Sequence, residues 1–300
     1  MQYIVQPQLA DYAAVGRLQA ALTAKYPFLC EIPLGRSLCG RQISALMLCC
    51  PGKEEVGRVL FAAAFHAQEW LTSLVCLRFC EEICYCLQNG LSMAGVDVRR
   101  ALAGRTLVFV PQVNPDGVQI ALGGSKTAGE YAKTVAALGG DDKGLWQANA
   151  RGVDINHNFD AGFATAYEGM ADAPAPRRYR GEHPESEPET KLLCALCRRI
   201  SFRHVIALHT QGEEIYWQYG EHTPAQAHMM AQIMASAAGY TVKAPTGCAA
   251  FGGFKDWFID CFHRPGFTVE LGRGINPLPL TDFPVISNRV REMLLLGAML

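Results

Sequence analysis

The chain carries almost no net charge. Its 27 Lys and Arg are set against 28 Asp and Glu over 300 residues, a formal −1. No basic tract gathers the positive residues together, so the electrostatic footprint expected of a nucleic-acid binder is missing. No apolar run is long enough to cross a bilayer. The apolar close at residues 293–300 is too short and follows Arg289 and Arg291. Residues 1–15 show no basic start followed by a long apolar stretch, so no secretory leader is read there. Internal repeats, low-complexity stretches and Pro- or Ser-rich linkers are also missing. What remains is one domain, residues 1–300, expected to work in the cytoplasm without membrane or nucleic acid as partner.

Apolar residues are plentiful. Half of the chain is hydrophobic and 18% is charged, enough to bury a sizeable core. Twelve cysteines are many for such a domain. Cys76, Cys80, Cys84 and Cys86 fall at mostly helical spacing, and Cys194 and Cys197 stand three apart. Without an export signal they read as small buried apolar residues in a reducing compartment, not as disulfides or a metal cluster. Cys49-Cys50 fits neither a zinc ribbon nor a redox motif.

Apolar periodicity lays out alternating helices and strands. Residues 8–25 read as an amphipathic helix, and 32–43 as two strands around a Gly-bearing turn, the second extended by 45–50. Residues 59–65, 106–111, 204–208 and 266–271 are short apolar runs, the mark of strands covered on both faces. Helices are read over 68–88, 187–200, 223–238 and 284–300. The last helix start but two carries Ser186-Glu187-Pro188-Glu189, a capping-box pattern. Asn114-Pro115-Asp116-Gly117 reads as a turn, and 123–152 and 169–188 as polar excursions. Strands alternating with helices imply an α/β fold with a mixed, mostly parallel twisted sheet flanked by helices on both faces.

His66, Asn114, His209 and Glu270 all fall at or just past the C-terminal end of such a strand. In open α/β sheets the ligand crevice lies outside those ends. His66 and Glu69 are three residues apart, so a loop His and a Glu of the first helical turn can face one ion. With His209 they form the two-His, one-carboxylate set of a catalytic zinc site, which leaves a position for water. Glu270 interrupts an apolar strand, and a buried carboxylate needs a metal, a cation or an acid–base task. The plain alternative is a salt bridge with Arg264 or Arg273.

These motifs resemble the zinc carboxypeptidase family. The chain shows in order His66-Ala67-Gln68-Glu69, Asn114-Pro115-Asp116-Gly117, Gly152-Val153-Asp154-Ile155-Asn156-His157-Asn158-Phe159, His209 and Glu270. The segments 146–154, 209–216 and 276–279 look like those of bacterial γ-D-glutamyl-diaminopimelate endopeptidases, which cut peptidoglycan stem peptides. The resemblance implies one zinc ion on His66, Glu69 and His209. It implies Glu270 as the base that takes the water's proton and later passes it to the leaving amine. Asn156 would contact the carboxylate of the released residue.

Three positions depart from the family pattern. His157 stands where a carboxylate-binding Arg is usual, and a His cannot make the bidentate fork. Cys248 stands where a substrate-binding Tyr is usual. Gln147 follows Trp146 where an Arg usually polarises the scissile carbonyl, which leaves Arg151 as the nearest candidate for that role. Asn156, His157 and Cys248 are therefore read as substrate-binding. Two other readings share the fold: an N-acyl amino acid deacylase, and a muropeptide-binding protein without catalysis.

Overall fold

Alternation of side chains along each strand explains how the core is divided. The computed structural model describes residues 3–142 and 144–300, with the backbone alone at 248 and 249. Its strands are β1 (Leu29–Arg36), β2 (Gln42–Cys49), β3 (Gly57–Ala63), β4 (Ser92–Met93), β5 (Val96–Asp97), β6 (Arg105–Val110), β7 (His204–His209), β8 (Glu214–Tyr216), β9 (Thr241–Lys243) and β10 (Gly266–Glu270). The helices are α1 (Tyr12–Lys25), α2 (Leu71–Asn89), α3 (Val98–Ala101), α4 (Pro115–Gly123), α5 (Ala132–Ala137), α6 (Pro188–Arg199), α7 (Ala227–Ala238), α8 (Phe254–Phe262) and α9 (Phe283–Met299).

Eight strands form one sheet in the order β1-β2-β6-β3-β7-β10-β8-β9, and β4 and β5 make a separate hairpin. The central β6, β3, β7 and β10 run parallel, whereas β1–β2, β2–β6 and β10–β8 pair antiparallel. The expected mixed α/β sheet is therefore what forms. On β3, Phe61 and Ala63 join one core layer and Leu60 and Ala62 the other. The same two-residue alternation divides Leu107 and Phe109 from Val108 and Val110 on β6, and Ile206 and Leu208 from Val205 and Ala207 on β7. One layer is closed by α1, α2, α7 and α9, the other by α6 and α8. Phe61 stacks on Phe109 at 5.3 Å and meets Phe79 of α2 edge-on at the same distance. Full burial of each such ring contributes about 1.5–3 kcal/mol.

Several element boundaries and caps differ from the sequence reading. The opening helix begins at Tyr12, where Asp11 Oδ1 accepts from Ala14 N at 2.7 Å. The motif at 114–117 is a helix start, not a free turn: Asn114 Oδ1 accepts from Gly117 N at 2.9 Å, with Pro115 in the first helical position of α4. The capping box at Ser186 does not form. Glu187 is the residue before α6 and makes no cap bond. Ser186 Oγ donates to Glu187 Oε1, and Glu189 instead accepts from Leu38 N and Asn149 Nδ2. Short 3₁₀ turns and α5 break up the 123–152 excursion. The sequence reading also missed β8, β9 and α8.

The cysteines follow the apolar reading. Cys50, Cys76, Cys80, Cys84, Cys86, Cys194 and Cys197 are buried, and every described cysteine is a free thiol. Burial pushes the Cys76, Cys80, Cys194 and Cys197 thiols well above the usual range, which keeps them protonated and unreactive. No described helix is long and apolar enough to cross a membrane.

Candidate metal centre

The parallel strands deliver the polar residues to one end of the sheet. After β3 the chain turns at Ala64, with a positive φ of 53°, and reaches His66 just before a 3₁₀ turn at Ala67–Glu69. Glu69 therefore lies in that turn and not in α2, which starts at Leu71. His209 is the last residue of β7 and pairs in register with Glu270, the last of β10. Neighbouring parallel strands thus bring two residues 61 positions apart in the sequence to the same edge of the crevice.

Donor atoms of His66, Glu69 and His209 lie within 4.8 Å of one another, the one such group of three among the described residues. His66 Nδ1 lies 2.8 Å from Glu69 Oε1, and His209 Nδ1 lies 2.9 Å from Glu69 Oε2. Two imidazole nitrogens facing one carboxylate is the donor chemistry that zinc takes, with three protein ligands and room for a fourth. The residues fit the ion. Thr210 N donates to Glu69 Oε2 at 3.3 Å, and Asn276 Nδ2 reaches Glu69 Oε1 at 3.5 Å. Thr210 Oγ1 in turn donates to Asn276 Oδ1 at 2.7 Å, so the loop after β7 and the segment at 276 hold the carboxylate together.

Asp154 is a site residue the sequence reading missed. Its Oδ1 lies 3.3 Å from His66 Nε2, the ring nitrogen that faces away from Glu69. Metal-binding histidines are commonly oriented by such a carboxylate. The Asp of the Gly152-Val153-Asp154 motif was a signal for it, but its role shows only when residue 66 comes near. Asp154 itself is fixed by Arg178 N at 3.0 Å and Asn156 N at 3.2 Å.

Charge follows this arrangement. Burial would lower the His66 pKa, but the Glu69 and Asp154 carboxylates outweigh it and hold it well above its ordinary value. Burial opposes ionisation of Glu69, yet His66 and His209 hold its carboxyl down at about 2. Burial pushes His209 down, towards the neutral form that ligates metals. Burial and the Glu69 charge push the Glu270 carboxyl well above the usual range.

A cavity of about 180 Å³ opens here, lined by His66, Gln147, Asp154, Asn156, His157, Arg177, Arg178, Lys255 and Glu270 among others. Among the described residues Glu270 forms no ion pair with a Lys or Arg. Arg264 bonds Ser201 and Phe202 O, and Arg273 pairs with Glu213 at 2.6 Å, so neither proposed salt bridge forms.

The remaining expected residues divide. Asn156 lines the cavity, with its Oδ1 accepting from Phe254 N at 3.1 Å. His157 lines it too, with Nδ1 3.1 Å from Phe251 O and its ring 5.3 Å from that of Tyr167. Arg151 does not line it: the guanidinium bonds Glu187 Oε1 at 3.2 Å and is 45% exposed. It braces the turn before Asp154, where Asn149 Oδ1 accepts from Arg151 N and Val153 N. The structure thus places the Arg151 guanidinium, expected to polarise the carbonyl, on Glu187 and not among the cavity-lining residues. Asn114 is fully buried and donates to Phe65 O at 3.0 Å, tying loops together behind the ligands. The Cys248 side chain lies outside the described residues.

Comparison with known proteins adds to this geometry. The family model described as zinc carboxypeptidase matches residues 16–289. The γ-D-glutamyl-L-diamino acid endopeptidase 1 of Lysinibacillus sphaericus is 32% identical over 96% of this chain and 72% of its own length. Bovine thrombin-activatable fibrinolysis inhibitor superposes with a TM-score of 0.77 at 21% identity, covering 97% of both chains. The murein-tripeptide amidase of Escherichia coli O157 reaches a TM-score of 0.52 at 23% identity, covering 90% of this chain and 89% of that one.

Proposed function

The chain belongs to the zinc carboxypeptidase family, and from that premise we propose that it hydrolyses an amide bond in murein-type peptides, the γ-D-glutamyl-diaminopimelate bond first among them. The observation that carries the reading is the meeting of His66, Glu69 and His209 beside an unpaired Glu270 on one cavity. The name of the Lysinibacillus relative supports the choice of bond. The three ligands would hold one zinc ion. Bound there, zinc supplies the Lewis acidity that lowers a water's pKa towards about 7 and polarises the carbonyl.

The chain's own residues do the rest. Glu270 takes the water's proton and returns it to the leaving amine, and its raised pKa suits both transfers. Gln147 lines the cavity beside His66, since Ala67 N donates to Gln147 O at 3.0 Å. Its side-chain amide offers a neutral donor where the family usually has an Arg. Asn156 spends its oxygen on Phe254 N and keeps its NH2 group for the carboxylate of the released residue. His157 flanks it. The cavity of about 180 Å³ is of a size to take the reacting part of a small peptide.

The test is incubation of the purified protein with L-Ala-γ-D-Glu-diaminopimelate, with and without chelator, reading products by mass. Release of free diaminopimelate that stops with chelator is expected. An intact tripeptide alongside hydrolysed N-acyl amino acids would replace this reading with the deacylase one.

A further inference from the structure

Most positive or ionisable nitrogen groups on the cavity are already engaged. Lys255 is held by Asp256 and by Gln218 O at 2.9 Å. His66 and His157 have the contacts given above. Arg177 and Arg178 are different: among the described residues neither guanidinium has a hydrogen-bond or ion-pair partner, although both line the cavity. Arg178 is half-buried and Arg177 exposed, so both guanidiniums are open to an anionic group that a ligand brings to the cavity.

Their position is fixed by backbone bonds. Pro176 O accepts from Gln147 N at 2.8 Å and from Ala148 N at 2.9 Å. One residue further on, Arg178 N donates to Asp154 Oδ2 at 3.0 Å. The two arginines are thus stitched between Gln147 and Asp154, next to His66. Arg178 also adopts a positive φ of 65°, uncommon for a residue with a side chain. Gly169 makes room for its guanidinium, since a Cβ there would meet Arg178 Nη1 at 2.6 Å. Asn156 and His157 are instead tied to the 251–254 segment.

We propose that Arg177 and Arg178 form an anion subsite for a carboxylate on the acyl side of the cleaved bond. The inference rests on the amide-hydrolase reading above and names what that site selects. A γ-linked glutamyl amide leaves its α-carboxylate free on the acyl side, whereas an ordinary α-peptide carries none there. Guanidinium groups match a carboxylate with paired, charge-assisted hydrogen bonds. The positive charge that Gln147 and His157 do not provide is thereby delivered from a different segment and put to a different use: telling γ-glutamyl amides from α-peptides.

Binding of uncleavable acyl-side fragments tests this. Calorimetric titration of zinc-loaded protein should give L-Ala-D-Glu on the order of tenfold or more tighter binding than L-Ala-D-isoglutamine, which replaces the α-carboxylate with an amide. The double variant R177A/R178A should lose that preference while keeping its zinc content and melting temperature, and R178K should keep part of it. No preference in the native protein, or an undiminished one in the double variant, overturns the subsite. Tripeptide cleavage is read separately. A protein that prefers the carboxylate but leaves the tripeptide intact loses the proposed reaction and keeps this subsite. One that cleaves without preference loses the subsite alone.

Discussion

Replacing Asp154 by Asn should weaken zinc binding without unfolding the protein. Asp154 is 1% exposed, touches no proposed ligand except His66 Nε2, and acts on the ion only through that ring. Its carboxylate favours the tautomer with a proton on Nε2, which leaves Nδ1 free to ligate. Asn is the same size but keeps one oxygen, so it can accept either from Arg178 N, now bonded to Oδ2, or from Asn156 N, now bonded to Oδ1, and not from both. The charge is lost, and the amide can present a donor to a ring nitrogen that must itself donate. Loss of such an outer carboxylate commonly weakens metal affinity by roughly 10- to 100-fold, about 1.4–2.8 kcal/mol. The separation of 3.3 Å is at the long end for a hydrogen bond, so the lower half of that range is expected. Competition with a chromophoric chelator at neutral pH measures the change, and melting of both metal-free forms controls for folding. Zinc affinity within twofold of the native protein, at equal melting temperature, would refute the argument.

Other outcomes follow from neighbouring groups. Glu270→Gln should keep zinc and lose about a hundredfold or more in turnover; undiminished hydrolysis would remove Glu270 from the proton-transfer role. Glu189 is buried, and burial together with the Asp116 and Glu187 charges pushes its carboxyl up to about 8. The folded chain then keeps a proton that the unfolded chain releases near the ordinary carboxylate value of 4.5. Stability should fall as pH rises through that window, by at most about 1.4 kcal/mol per unit, and level off above it. Glu189→Gln should flatten the curve in denaturant titrations at pH 5 and pH 8, and an equal slope in the variant would contradict the assignment.

Three residues of the candidate site were legible in the sequence because their signal is local. His66, His209 and Glu270 each follow an apolar run that can only be a buried strand, and strand ends converge in an α/β sheet. Asp154 was less visible because its partner is 88 positions away in the chain. Arg151 was chosen for nearness to Trp146 in sequence, whereas the fold turns it to Glu187. Arg177 and Arg178 sit in an irregular polar segment without periodicity, placed only by bonds to Gln147, Ala148 and Asp154. The strands β8 and β9, three residues each, owe their form to pairing beside β10 and leave little local pattern. Helix α8 mixes Phe254, Trp257 and Phe258 with Lys255 and Asp256, because one face packs in the core and the other lines the cavity.

The most direct measurement is an anomalous difference map at the zinc edge from crystals of the zinc-loaded protein. A single peak is predicted, bonded by His66 Nδ1, the Glu69 carboxylate and His209 Nδ1, with Glu270 on the same cavity. A peak elsewhere, or none at these three side chains, would contradict the account.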